Sequence, residues 1–309
     1  MRRIIIDCDP GIDDAQAIMM AYRHPDVVIE AITTVVGNVG VAHTTANALK
    51  VLDVLNAEAI PVFKGAQTGL VEQGDNASFF HGEDGLGDAN IPESSRSIQD
   101  EPAALALIRL GRAHPGEMEL IAIGPLTNLA LALRLDPELS TYYKRLVIMG
   151  GAYFAQGNTL NLTSEFNIFA DPEGAKVVFD NWPELTMVSW EATIAHCLSM
   201  ETYLSLLSLE NPCSAFLNRV SQKSLQFFIN KGQGSMSFAA DPLAMAVLIE
   251  PEIVQESVKK FVQIERYGHL SRGMTVVDWF DISKREPNVN IVRKVDSDRF
   301  FEIFRLAFE

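Results

Sequence analysis

Apolar residues come in short runs that switch between two spacings along the chain. Ile4-Ile5-Ile6 with Cys8 reads as a buried strand, its branched side chains favouring extended backbone. Pro10-Gly11 ends that run, and from Asp13 the apolar positions Ala15, Ile18, Met19 and Tyr22 recur at helical spacing. Val27 to Val36 predicts a second strand running into Gly37-Asn38, and residues 44–56 a helix with Ala48, Leu49, Leu52 and Leu55 on its apolar face. The rhythm goes on: a helix over 101–112, a strand over 120–123, a helix over 126–135, a strand over 146–149 and a helix over 173–179. Such alternation predicts an α/β fold, a mostly parallel sheet flanked by helices. The C-terminal third is less regular, with 274–277 and 289–292 as late strands. No linker divides the chain, so one domain over residues 1–309 is expected.

Two stretches interrupt the alternation. Residues 66–98 are rich in Gly, Asn, Asp and Ser, and 150–164 hold Gly150-Gly151 and Gly157-Asn158 among polar residues. Both predict long loops, which in compact domains often carry function.

Composition narrows the partners. Forty acidic against 25 basic residues give a net charge of −15. That balance repels nucleic-acid phosphates and anionic membranes and suits neutral small molecules or cations. Cys8, Cys197 and Cys213 make an odd count without C-x-x-C spacing, which points away from a disulfide framework and toward a reduced, cytoplasmic compartment. Met1-Arg2-Arg3 is followed by only three isoleucines, too few for a signal-peptide core, and no run approaches a membrane span.

Asp7-Cys8-Asp9-Pro10-Gly11-Ile12-Asp13-Asp14 sets four carboxylates into eight residues at a strand-to-helix turn. In open parallel sheets the carboxyl ends of the strands border the ligand crevice. Clustered like charges repel unless a cation offsets them, and hard carboxylate oxygens suit calcium or magnesium. No His/Cys set supports zinc. Asp13 and Asp14 could instead serve as helix caps, but capping needs one carboxylate where the turn supplies four.

With these residues in view, the chain resembles the calcium-dependent, inosine–uridine preferring nucleoside hydrolases. The N-terminal D-x-D-P-G-x-D-D carries the likeness first. Val36-Gly37-Asn38, His81-Gly82-Glu83-Asp84-Gly85-Leu86, Gly124-Pro125-Leu126-Thr127-Asn128, Met149-Gly150-Gly151 and Glu165 through Pro172 follow in order. The resemblance implies hydrolysis of the N-glycosidic bond of ribonucleosides to ribose and free base, by an enzyme usually assembled as a dimer or tetramer. It implies Ca2+ held by Asp9, Asp14, the carbonyl of Ile123 and Asp241, with Asp9 as the base that takes a proton from water. Asp13, Asn38, Asn158, Glu165 and Asn167 would bind ribose, Met149 would pack near it, and His81 could reach the base. One extra residue between Asn158 and Glu165 leaves Asn161 as an alternative to Asn158. Glu165 and Asn167 would face the same way if their segment is extended. Carboxylates around the ring suit a sugar gaining oxocarbenium-like charge.

One departure bears on the chemistry. Where the family's best-known members carry His-Asp at the second metal segment, this chain has Ala240-Asp241, and alanine donates no proton. A positioned general acid is worth about 100- to 10,000-fold in rate. His81 or His196 could take that role, or each could be a packed histidine. Phe227 and Phe228 could stack on a base, and Lys231-Gly232-Gln233-Gly234-Ser235 could close as a lid. Ala240 also leaves open a calcium and ribonucleoside binder with impaired catalysis. A magnesium phosphotransferase using Asp-x-Asp is a third possibility, which the later motifs disfavour.

Overall fold

In the computed structural model, which describes residues 1–58, 60–72, 74–230 and 236–309, eight strands build one sheet. These are β1 (Arg2–Cys8), β2 (Val27–Thr34), β3 (Val62–Lys64), β4 (Met118–Ala122), β5 (Leu146–Met149), β6 (Leu185–Val188), β7 (Val254–Lys260) and β8 (Val289–Val295). Their spatial order is β3-β2-β1-β4-β5-β6-β8-β7, and every pairing is parallel except β8 with β7. The chain runs outward from β1 to β3, then returns to place β4 on the other side of β1. The sheet therefore reverses direction beside β1, which is where α/β folds place their ligand crevice.

Helices cover both faces. In chain order the principal ones are α1 (Ile12–Arg23), α2 (Val41–Val54), α3 (Ala103–Ala113), α4 (Thr127–Leu135), α5 (Phe166–Ala170), α6 (Pro172–Asn181), α7 (Trp190–Ala195), α8 (Pro212–Asn230), α9 (Ala240–Ile249) and α10 (Ser297–Arg305). One core layer packs α1, α2, α8, α9 and α10 on the sheet, and the other packs α3, α4 and α6. Ile4 and Ile6 feed the first layer and Ile5 the second, the alternation that a two-faced strand requires.

Several expectations shift by a few residues. The second strand stops at Thr34 rather than Val36, because the Val35 amide turns to the Cys8 carbonyl and the Val36 amide to the Ala66 carbonyl. The late strand at Thr275–Val277 lies outside the main sheet and pairs with Val262–Ile264. β6, β7 and α9 carried little periodic signal. β6 has four residues, β7 is a charged edge strand, and all ten residues of α9 are buried, so it has no polar stripe to reveal a helix. The expected lid, residues 231–235, lies outside the described residues.

Candidate active site

Asp9 follows β1 directly, and Pro10-Gly11 turns the chain into α1, so Asp13 and Asp14 occupy its first turn. Asp14 accepts the Asp9 amide at 3.1 Å and the Gly11 amide at 2.8 Å. The capping role thus holds for Asp14 and leaves Asp9 and Asp13 for other work. Asp9 Oδ2 accepts the Asn38 backbone amide at 2.7 Å, while Asp9 Oδ1 is buried with no hydrogen-bond partner. Two glycines close on this carboxylate. A Cβ on Gly124 would sit 2.6 Å from Oδ1, and one on Gly37 would overlap Oδ2. The glycines in the Val36-Gly37-Asn38 and Gly124-Pro125 segments are thereby explained as the space Asp9 occupies. The Asn38 side-chain amide donates to the Asp9 carbonyl at 3.1 Å and to Asp14 Oδ2 at 3.2 Å.

Asp241 enters from the first turn of α9, and carboxylate oxygens of Asp13, Asp14 and Asp241 lie within 4.8 Å of one another. Asp9 acts on the same group through its charge. Burial, then repulsion by Asp14, pushes Asp9 well above the usual carboxylate range. Burial with repulsion by Asp13 and Asp14 does the same to Asp241, and burial with Asp13 raises Asp14 to about 7. The charges that raise them are carboxylates throughout. Asp9 Oδ1 and Asp13 Oδ1 are buried without donors, and with Asp14 and Asp241 they form a set that a hard cation would complete.

The residues expected to bind ribose converge on the next two strand ends. Contrary to an extended reading, Glu165 caps the short helix α5 and Asn167 lies inside it, because Glu165 collects the Asn167 and Ile168 amides at 2.8 and 3.3 Å. Glu165 also accepts the Gly151 amide at 2.9 Å, and burial raises its carboxyl to about 7. Asn167 Nδ2 donates to the carbonyls of Ile123 at 2.9 Å and Met149 at 3.1 Å, stitching β4 to β5. The Ile123 oxygen keeps a second lone pair for another partner. Asn158 Oδ1 accepts the Phe166 amide at 2.9 Å, which sets it beside Glu165. Asn161 instead spends its side chain on the loop, bonding Ser164 and the Arg272 carbonyl. Of the two asparagines, Asn158 is the one tied to the site.

His81 is buried, and its Nδ1 accepts the Ile12 amide at 3.1 Å. An accepting Nδ1 carries no proton, so the neutral ring holds its hydrogen on Nε2, which faces Asp13 Oδ1 at 3.9 Å. Burial lowers the pKa of this histidine against the opposing pull of Asp13, favouring the neutral ring. His196 is a different case. Its Nδ1 lies 2.8 Å from the Ala192 carbonyl and its Nε2 accepts the Val295 amide at 3.0 Å, so both ring nitrogens are committed to packing α7 against β8. Ala240 is buried at the start of α9 and brings no polar atom.

Beside His81 runs a wall of aromatic rings. Phe80 meets His81 edge-on at 4.9 Å, and Phe227 and Phe228 at 5.5 and 5.4 Å. Phe228 continues to Phe238 at 5.6 Å, and Phe238 to Trp190 at 5.4 Å. The sequence pointed to Phe227 and Phe228 but not to Phe80, Phe238 or Trp190. These three lie on separate segments with no shared spacing. Asn128 was also passed over, although it sits in a matching motif. Its side chain donates to Asp7 Oδ1 at 2.8 Å and the Thr34 carbonyl at 3.0 Å and accepts the Ala66 amide at 2.9 Å, locking the ends of β1 and β2 together.

Carboxylates gather at the carboxyl end of the sheet, with a buried histidine across from them, and Asp13, Asp14 and Asp241 among them could hold a metal ion. Residues 4–302 match the sequence profile of the inosine-uridine preferring nucleoside hydrolases, and the chain belongs to that family. It is 39% identical to the Non-specific ribonucleoside hydrolase RihC of Escherichia coli, over 96% of this chain and 95% of that protein. It is 35% identical to the Inosine-uridine preferring nucleoside hydrolase of Leishmania major, over 97% and 95% respectively. The fold superimposes on a solved Inosine-Guanosine Nucleoside Hydrolase with a TM-score of 0.92, at 34% identity, covering 99% of this chain and 98% of that one.

Proposed function

We propose that this chain, acting as one domain over residues 1–309, hydrolyses the N-glycosidic bond of ribonucleosides to ribose and free base. The observation that carries the reading is Asp9, a buried carboxylate held through one oxygen by Asn38 with its other oxygen unbonded. Asp9, Asp14, Asp241 and the Ile123 carbonyl would hold Ca2+, with Asp13 closing the trio of nearest carboxylates. Bound there, calcium would supply acidification of a water and would offset the charge of the carboxylates.

The remaining work falls to the chain's own groups. Asp9 Oδ1 accepts the proton of the attacking water, because the Asn38 amide fixes the other oxygen and the glycines on either side fix the plane. Asp13, Asn158, Glu165 and Asn167 take the ribose hydroxyls, and Met149 packs beneath. Glu165, held by three backbone amides, is pre-aimed at a ring that becomes cationic as the bond to the base lengthens. His81 Nε2–H is the proton donor this reading assigns to the base side, and the aromatic wall would give a planar base surfaces to stack on. A cytoplasmic homodimer or homotetramer is the form this reading expects.

Release of ribose from a panel of purine and pyrimidine ribonucleosides, with calcium and with Asp9→Ala as control, tests it. Release that vanishes in Asp9→Ala supports the hydrolase. No release from any nucleoside, with calcium and ribonucleoside still bound, sinks it and leaves the impaired binder that Ala240 keeps open.

A further inference from the structure

Asn47 lies on α2, outside the motifs that carry the family likeness and outside the residues assigned to cation, ribose or base. It is 1% exposed, and its Nδ2 donates to two carbonyls at once, Pro10 at 2.9 Å and Asp84 at 2.8 Å. Its Oδ1 is buried with no hydrogen-bond partner. An orphaned buried acceptor costs stability, so the side chain is placed for its two donors. Gly85 makes room for it, because φ there is +80° and a Cβ would stand 2.8 Å from Nδ2.

The two carbonyls belong to opposite halves of the site. Pro10 sits in the turn between Asp9 and Asp13, and Asp84 in loop 82–88, directly after His81. That loop is braced as one body. Asp84 Oδ1 accepts the Leu86 and Asp88 amides at 2.8 and 2.9 Å, and Asp88 Oδ1 accepts the Glu83 amide at 2.7 Å. The Gly87 amide donates back to the His81 carbonyl at 2.6 Å. Asp88 Oδ2 accepts from Lys223 at 2.7 Å, on α8, the helix that also carries Phe227 and Phe228. A loop this stiff moves as a unit, so the places where it is fastened decide where His81 stands. On the side of the cation turn it is fastened at Asn47, while the Ile12 amide holds the ring itself.

We propose that Asn47 is a positioning residue, holding loop 82–88 against the cation turn so that His81 Nε2 stays aimed at the leaving base. This role presupposes the hydrolytic reading with His81 as proton donor. Without the bridge the Ile12 bond still selects the tautomer, but the loop next to the ring gains freedom. The loss then falls on protonation of the base and spares attack at the sugar, since Asp9 and Asp14 keep their own bonds to backbone amides.

The test compares kcat on a ribonucleoside with kcat on a nitrophenyl riboside, whose leaving group departs without a proton. It uses the calcium-loaded wild type, Asn47→Ala, His81→Phe and the double variant. A misplacement of about 1 Å costs up to about 100-fold, so Asn47→Ala should lose about tenfold on the ribonucleoside and less than about twofold on the nitrophenyl riboside. Added to His81→Phe, it should change either rate by less than about twofold, because the two substitutions remove one interaction. Should Asn47→Ala fail to fold, Asn47→Ser keeps one donor on the same helix and should show the same selectivity at about a threefold loss. No loss, an equal loss on both substrates, or the full loss again in the His81→Phe background overturns the proposal. The wider reading fails by different signs. A wild type that cleaves neither substrate sinks the hydrolase, and a His81→Phe variant that loses equally on both sinks the donor, each taking the role of Asn47 with it.

Discussion

The two halves of the site are built by different means. On the side proposed for the cation and ribose, Asp9, Asp14, Glu165 and Asn167 sit at strand ends or in the first turn of the following helix, each pinned by backbone amides or carbonyls. On the base side, His81 and the rings of Phe80, Phe227, Phe228, Phe238 and Trp190 come from a short helical turn, a long helix and loop termini, held mainly by contact with one another. The first half fixes its carboxylates through hydrogen bonds to the backbone. The second offers a surface whose shape its members can trade. Under the proposed function, cation and ribose fall to the former and the base to the latter.

Asp9→Ala tests the rigid half most severely. It removes the proton acceptor and one cation ligand together, so ribose release should fall by about 1,000-fold or more. The circular dichroism spectrum should stay native, since the side chain makes one hydrogen bond. A loss of less than tenfold would move the base elsewhere.

The same half dictates a response to pH. Asp14 and Glu165 are raised to about 7 in the cation-free protein, against ordinary values of about 4 in the unfolded chain. Groups raised on folding stabilise the native state fully below the unfolded value, and that contribution is lost as pH climbs through 7. The calcium-free protein should therefore lose melting temperature between pH 5 and pH 8. Added calcium, which needs the ionised carboxylates, should stabilise most at pH 8 and least at pH 5. A calcium effect on the Tm that is flat over this range would mean that these carboxylates do not bind the ion.

How legible each half was follows from how it is built. The D-x-D-P-G-x-D-D run announced itself because four carboxylates within eight residues repel one another unless a cation offsets them. Glycines at 37 and 124 stood in readable motifs, though only the fold shows that both exist to admit Asp9. Apart from the three-residue β3, the parallel sheet was readable from strand–helix alternation as far as α6. Beyond it β6 was too short, β7 too charged and α9 too uniformly buried to carry a period. The aromatic wall stayed hidden for a related reason. Residues 80, 190, 228 and 238 are neighbours only through tertiary packing, and a lone Phe in a sequence reads as core. His196 stayed a weaker alternative to His81 in the sequence, and the Ala192 carbonyl and the Val295 amide on its two nitrogens account for both of its ring atoms.

His81→Phe sharpens the contrast on the base side. With Ala240 unable to donate, His81 Nε2–H is the proton source the geometry offers, so kcat on ordinary ribonucleosides should drop about 10- to 100-fold, toward the low end of general-acid contributions. A ribosyl ether of an acidic nitrophenol needs no protonation to depart and should be cut nearly as fast as by the wild type. An equal loss on both substrates would make His81 a packing residue.

The smallest effect is expected from Phe80→Leu. Phe80 is half-buried, touches His81, Phe227 and Phe228 through its ring, and makes none of the hydrogen bonds that aim the carboxylates. Stacking of a base on an aromatic side chain is worth about 1–3 kcal/mol to alanine, and leucine keeps much of the apolar contact. KM for ribonucleosides should thus rise about fivefold, close to 1 kcal/mol, while kcat and the calcium-induced gain in Tm stay within twofold and about 1 °C of wild type. The split matters more than its size. A fall in kcat without a change in KM would mean that the ring positions His81 rather than the base, and the aromatic side would then be as finely set as the carboxylate side. A KM effect alone, different for purine and pyrimidine substrates, would place base preference in the part of the site that packing can remodel without disturbing the chemistry.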